Sequence, residues 1–524
     1  MAVALLSVYP SIRLSAQTID TIIVVNRNIF DFAPGGGDAP SFFARLANSL
    51  HVTTRAWVIR RTLLVNPGEP YDSARVAESE RALRNLDVFS RVRIDSTRTG
   101  GRLALRVATT DGWSTKPQLG YSVAGGSVSW LAGLVEDNLL GTATSLAAVY
   151  NYTPERNIFT LGYVNPHFLS RRARLQAVYH VKSDGRRGEW LVGVPFYETA
   201  ARRALVFDGL AASESVLVFR QAPDTGLRTD TLHHRALRFG VTLGFAPRAT
   251  SRDYLRLWAG ARWRREGFAP RDSLLPDSAF GTVGAGVDLG HVRFQVLEWF
   301  NSYARREDVD LSQFVHVGLW AAPRAWGYPS ARAGVGLEAA AQVSALWPGG
   351  FVVLRGAGNA VFTGGATDSG RVAGALTVAS QNLRRQTLIL HLEGARLRRP
   401  APDALFDLWY GYNGPRVYGI HEFTGTRRVW LALEDRVLVA PELWGLLGVG
   451  VAPFVDYGGA WYGAGDSPYP GEPARLWGDV GVSLRLGPTR AVRGDVAEFA
   501  MGYRFGAGFS GRRWGFAIRK GIVY

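Results

Sequence analysis

From Pro117 almost to the last residue, apolar side chains recur at every second position in segment after segment, and no amphipathic helical period interrupts them. In Trp430–Val439, Leu431, Leu433, Val437 and Val439 alternate with Ala432, Glu434 and Arg436. Leu476, Gly478, Val480, Val482, Leu484 and Leu486 alternate in the same way with Trp477, Asp479, Ser483 and Arg485. A period of two places consecutive side chains on opposite faces of a strand, so each segment has one apolar face and one polar face. This excludes a helical architecture for most of the chain.

A soluble sandwich and a membrane barrel both accept such strands, with their faces reversed. Three features favour the barrel. Strand-like segments continue through residues 117–524 without a helical segment. The 16 Trp, 19 Tyr and 26 Phe concentrate near strand ends, where interfacial girdles form. The last segment puts Trp514, Phe516, Ile518, Ile522 and Tyr524 on one face and ends on an aromatic. The longest uncharged run, Pro117–Val135, is broken by Gly125, Gly126 and serines, so it is no membrane helix. Strands cross lipid with every backbone group paired only when the sheet closes. A strand-plus-turn repeat of about 25 residues predicts an antiparallel barrel of about sixteen strands.

The chain carries 60 Lys+Arg against 44 Asp+Glu, a net charge of +16, and all its basic residues except Lys116, Lys182 and Lys520 are Arg. These are scattered rather than gathered into a patch, which argues against nucleic acid as a partner. The absence of Cys excludes disulfides, thiolate metal sites and a cysteine nucleophile.

Ahead of the barrel, Met1–Ala16 is an apolar stretch ending in a small residue. It reads as a signal-peptide remnant without its basic region, and it places the mature chain outside the cytoplasm. Residues 17–113 form a separate unit in this reading. Thr21–Val25 is a β-branched strand, a Gly/Pro-rich break (Phe32–Pro40) opens an insertion around 32–55, and Tyr71–Leu86 places Val76, Leu83 and Leu86 at helical spacing. Two strands, Val88–Ile94 and Leu103–Val107, follow around the Gly100-Gly101 turn. The barrel takes residues 114–524.

Several motifs in this order resemble the BamA/TamA family of outer-membrane assembly factors, the bacterial surface antigen proteins. Arg60–Ile94 is similar to a POTRA domain, with Asn66-Pro67-Gly68 before the helix. Glu136–Thr142 (EDNLLGT) resembles the first barrel hairpin, and Asn165–Phe168 (NPHF) the Asn-Pro-aromatic element after it. Gly414–Arg436 resembles the sixth extracellular loop with its following strand, and Phe454–Trp461 (FVDYGGAW) the Phe-x-Asp-x-Gly strand.

The resemblance implies an outer-membrane protein whose POTRA-like domain lies in the periplasm and which assists insertion of other barrel proteins. It also implies a lumenal loop tip with Arg416 and Tyr418 in the Arg and aromatic places, while Val417 stands where the family has Gly. A buried guanidinium needs carboxylates, and period-two counting puts Glu434 and Asp456 on lumenal faces, so Arg416 is expected to pair with one or both. Insertion in this family runs through a seam between the first strand (about Gln118–Ala124, with Gln118 and Tyr121) and the last (Arg513–Tyr524, with Gly515, Gly521 and Tyr524). The implied partners are outer-membrane lipids, client barrel proteins joined by strand addition, and periplasmic proteins or lipoproteins. A polypeptide-translocating pore of the same superfamily and a passive anion-preferring porin are the alternatives.

No hydrolase elbow, phosphate-binding loop or zinc-protease helix occurs. His233-His234 point to opposite faces of a strand, and Asp308-Val309-Asp310 offers too few oxygens for Ca²⁺. The chain reads as a non-enzyme without cofactor or metal.

Overall fold

The computed structural model describes residues 17–32, 42–124, 127–222, 226–269, 277–303, 306–330, 332–408, 414–444, 447–463, 474–489 and 496–520. The apolar stretch Met1–Ala16 lies outside the described residues, as do Gly521 and Tyr524.

The N-terminal unit consists of β1 (Ile19–Arg27), α1 (Phe42–Leu50), α2 (Ala56–Thr62), α3 (Ser73–Arg84), β2 (Phe89–Thr99) and β3 (Arg102–Asp111). The sheet order is β1-β3-β2, with β1 parallel to β3. β2 and β3 form a hairpin whose turn needs left-handed backbone at Gly100 and Gly101 (φ 59° and 81°). Asp72 caps α3 by accepting from the N–H groups of Ala74 and Arg75. Ile19, Val58, Ile59, Leu83, Val88, Leu105 and Val107 close the core.

A POTRA domain, expected from Arg60–Ile94, is not clear in this arrangement, and that expectation is corrected. The turn, helix and strand it rested on are present, but such a succession serves many αβ units. Here it builds a three-stranded unit keyed into one rim of the barrel. Asn138 Nδ2 donates to the Val52 carbonyl (3.1 Å), Arg171 Nη2 to the Leu63 carbonyl (2.8 Å) and Thr199 N to Glu78 Oε1 (2.8 Å). Arg84 clamps Asp308 through Nε and Nη2, both at 2.8 Å.

The remaining strands are β4 (Thr115–Ala124), β5 (Ser127–Glu136), β6 (Ser145–Tyr152), β7 (Asn157–Asn165), β8 (Arg174–Lys182), β9 (Gly185–Val194), β10 (Arg203–Ala222), β11 (Gly226–Ala249), β12 (Asp253–Ala269) and β13 (Ser278–His291). They continue with β14 (Phe294–Glu298), β15 (Arg306–Asp310), β16 (Gln313–Ala322), β17 (Gly334–Trp347), β18 (Gly350–Thr363), β19 (Ala366–Ser380), β20 (Gln386–Arg398), β21 (Phe406–Leu408) and β22 (Phe423–Gly425). The last five are β23 (Arg427–Leu443), β24 (Leu447–Trp461), β25 (Trp477–Pro488), β26 (Ala497–Phe505) and β27 (Trp514–Lys520).

Twenty of these close an antiparallel barrel, while β14–β15 and β21–β22 form separate hairpins. The count of about sixteen is therefore corrected to twenty. A uniform repeat is the source of the error, because six strands of eight to ten residues fall within 115–194, whereas β10 and β11 run to 20 and 24 residues.

Faces follow parity. Along β23, Trp430, Ala432, Glu434 and Arg436 are buried inside while Leu433 and Val439 stand exposed outside. Leu119, Phe207, Phe239, Leu243, Leu289, Leu319, Val372 and Phe516 extend the exposed apolar band around the wall. A band of that size on a closed sheet is a lipid-facing surface.

Candidate functional site

The connection between β20 and β23 enters the lumen, and β21–β22 is the hairpin within it. Its tip, Arg416, is fully buried. The guanidinium reaches three strands at once: Nε donates to Asp456 Oδ2 (2.7 Å) on β24, Nη2 to Glu434 Oε2 (2.9 Å) on β23 and Nη1 to Glu498 Oε1 (2.8 Å) on β26. It also lies 4.3 Å above the Phe454 ring. Glu434 Oε1 accepts from Arg436 Nε and Arg485 Nη1, both at 3.0 Å, and Glu498 accepts from Arg519 Nη2 on β27 (3.2 Å). Asp479 accepts from the Val417 N–H (2.8 Å). Four guanidiniums therefore face four carboxylates, and this near-balance makes burial of so much charge tolerable.

Tyr418 donates to the Gly478 carbonyl (2.6 Å) and packs against Phe423, Trp477 and Phe509. Burial, with Asp479 nearby, pushes its phenol pKa up, so it acts as a neutral donor. Val417 is not among the residues with left-handed backbone. Its side chain fills a socket formed with Phe454, Ala500 and Ala517. A Cβ on Gly502 would lie 3.3 Å from Val417 Cγ2, so the wall supplies the space that a glycine at the tip would have left.

Parity counting located Glu434 and Asp456. Glu498 and Asp479 escaped it as partners, although Glu498 alternates with the exposed Phe499, Met501 and Tyr503 and offered the same signal.

A second contact holds the loop on the far wall. His421, with φ 58°, is clamped between Asp407 Oδ2 at Nδ1 (2.5 Å) and Glu155 Oε1 at Nε2 (3.0 Å), and its ring stacks on Phe219 at 3.4 Å between centroids. Glu155 lies in the β6–β7 turn and Phe219 on β10, so the loop spans the lumen. Burial alone would push the imidazole pKa down, but the hydrogen bonds to Asp407 and Glu155 outweigh it and lift it to about 9. Because the folded pKa lies above the unfolded one, this clamp is fully present below pH about 6.5 and is lost as pH rises through about 9, on the order of 3 kcal/mol. Conductance across planar bilayers is expected to rise between pH 7 and 10 in the wild type. In H421N this rise should vanish, and a rise of equal size in the variant would rule the clamp out.

From the other end, the β14–β15 hairpin closes the lumen. Glu307 shapes its tip by accepting from the N–H groups of Asn301 (2.9 Å) and Ser302 (2.8 Å). The buried Phe300 packs on Phe351, and its carbonyl accepts from Arg436 Nη1 (2.5 Å). Tyr303 lies over Gly448 and Gly450, where any Cβ would collide with its ring or hydroxyl, and close to Gly487, where a Cβ would be 3.0 Å from the ring. Asp308, on the same hairpin, is the residue held by Arg84. Phe300→Ala is expected to cost about 3–5 kcal/mol in denaturant unfolding and to raise conductance. Unchanged values would exclude the tip as a lumen filler. Nothing in the sequence separated this hairpin from wall strands.

Among the described residues, the β27–β4 seam is the joint with the least registered pairing. β4 pairs with β5 from Thr115↔Glu136 to Ala124↔Ser127, and β26 with β27 from Ala497↔Lys520 to Tyr503↔Trp514. β27 meets β4 at a single registered position among the described residues, Ile518↔Val123. Gln118 and Tyr121 lie on β4, with Tyr121 exposed on the outer face. Gly515 leaves room for Arg504, whose Nε donates to the Val417 carbonyl (2.6 Å). Arg519 and Ala517 bring the last strand into the lock itself.

His234, Glu266 and Asp403 each place one ligand atom within 4.8 Å of the others. Glu266 Oε1 is already shared between His234 Nε2 (3.0 Å) and Arg238 Nη2 (2.9 Å), and a cation there would meet the guanidinium.

No family model matches this chain, and no curated protein matches it. Solved structures similar to it include BamA from Haemophilus ducreyi lacking POTRA domains 1–3 (12% identity, 96% of this chain and 84% of that one, TM-score 0.39). CdiB from Acinetobacter baumannii aligns at 11% identity over 96% and 74% of the two chains (TM-score 0.40). CdiB from Escherichia coli aligns at 10% over 98% and 92% (TM-score 0.47). At these values the architecture rests on the chain's own strand pairing.

Proposed function

We propose that this protein is an outer-membrane barrel that assists insertion of other barrel proteins by offering the β27–β4 seam to an incoming strand. The observation that carries this reading is that, among the described residues, β27 and β4 share a single registered pair, Ile518↔Val123, in a barrel whose other joints are extensively paired. Edges left unpaired accept strands through main-chain hydrogen bonds, which tolerate any client sequence. Strand addition makes and breaks no covalent bond, so no residue is assigned a catalytic role. The lumen, filled by the lock loop from one side and the β14–β15 hairpin from the other, weighs against a passive porin. In liposomes, the purified chain is expected to accelerate folding of an added urea-denatured barrel client. Steady conductance with client folding no faster than in empty liposomes would overturn the proposal.

A further inference from the structure

The outer face of β9–β12 carries a charged feature that neither lock nor seam uses, and register fixes its layout. Trp190, Gly209, Phe239 and Trp263 stand side by side across the four strands. One step further from the N-terminal unit come Gly188, Ala211, Leu237 and Arg265, and then Arg186, Ser213, Arg235 and Gly267. These positions share the parity of the exposed Phe207, Leu243 and Leu257. The intervening Arg187, Glu214, His234, Arg238 and Glu266 pair with one another on the lumenal side.

Arg186, Arg235 and Arg265 are exposed on the outer wall. Among the described residues none of them forms an ion pair. Arg235 Nε reaches only His233 Nε2 (3.4 Å), which itself lies 3.3 Å from Ser213 Oγ. Asp277 covers Gly267 and bounds the patch on the β13 side.

The dimensions suit one headgroup. Arg186 and Arg235 are two strands apart, roughly 10 Å between Cα atoms, with the small Ser213 between them. Arg265 is the diagonal neighbour of Arg235 at roughly 7–8 Å. Along tilted strands, the arginines stand roughly 5–10 Å beyond the aromatic row. Below that row the wall is apolar, through Val192, Phe207, Val241 and Ala261. Aromatics mark the edge of the hydrocarbon, so the guanidiniums lie at headgroup depth.

We propose that this face binds the phosphate of a membrane lipid, with Arg186 and Arg235 gripping from either side of Ser213 and Arg265 beneath. Guanidinium forks match phosphate oxygens, and their placement over an apolar wall selects a phosphate that carries acyl chains. The inference rests on the lipid-facing reading of the wall and is independent of client insertion.

The test uses the full chain in neutral detergent, with bound lipid counted by native mass spectrometry. Phosphatidic acid is expected to be retained in preference to phosphatidylcholine. R186Q/R235Q/R265Q should weaken that retention by about a hundredfold and R235Q alone by about fivefold, while R91Q/R93Q/R98Q in the N-terminal unit leaves it unchanged. Equal retention by R235Q and the triple variant as by wild type would overturn the site. Displacement of phosphatidic acid by millimolar inorganic phosphate would instead identify a free-phosphate site and overturn the lipid assignment. Client folding is read separately, so loss of either result leaves the other standing.

Discussion

Arg416→Ala is expected to destabilise the barrel by about 3–5 kcal/mol in denaturant unfolding, because it strands Glu434, Asp456 and Glu498 inside without their shared cation. Arg436, Arg485 and Arg519 remain, but Asp456 loses its only guanidinium hydrogen bonds among the described residues. The same substitution frees the loop tip from three strands, so conductance is expected to rise with the loss of stability. Arg416→Lys keeps the charge but has no fork to span strands on three sides, and an intermediate loss is expected. Both variants are read in the same unfolding and bilayer experiments. Wild-type unfolding and conductance for Arg416→Ala would show that the loop is held by Val417, Tyr418 and His421 without the charge cluster.

Locking the seam should have the largest effect on activity. Antiparallel partners have Cα atoms about 4.5–5.5 Å apart, within disulfide range, so V123C/I518C can close at the registered pair Ile518↔Val123. The chain has no Cys, so this disulfide forms without competition. Oxidised V123C/I518C is expected to fold clients no faster than empty liposomes, and reduction should restore the wild-type rate. V352C/V378C, across the well-paired β18–β19 joint, should leave the rate unchanged in both states. Full activity in the oxidised seam variant would mean that clients do not enter between β27 and β4.

Alternation made the strands and their two faces legible, because which face a residue occupies on a strand depends only on its parity, and the aromatics near strand ends favoured a barrel over a sandwich. That same parity placed Glu434 and Asp456 toward the lumen around an arginine expected at position 416. It did not select Glu498, 82 residues from Arg416 along the chain, as a partner. Nor did it distinguish β14–β15, whose Phe294 and Val296 alternate like any wall strand but belong to a separate hairpin whose tip packs into the lumen. The Arg60–Ile94 motif likewise specified a turn, a helix and a strand without specifying the unit they build.

The sequence by itself determined that most of this chain is strand with one apolar and one polar face, since a period of two without long apolar runs leaves no helical route. Strand number, the filling of the lumen from both ends and the single registered β27–β4 pair among the described residues were decided by tertiary structure. Each depends on which backbone finds which partner across the closed sheet, and pairing between distant segments leaves no periodic trace in either one.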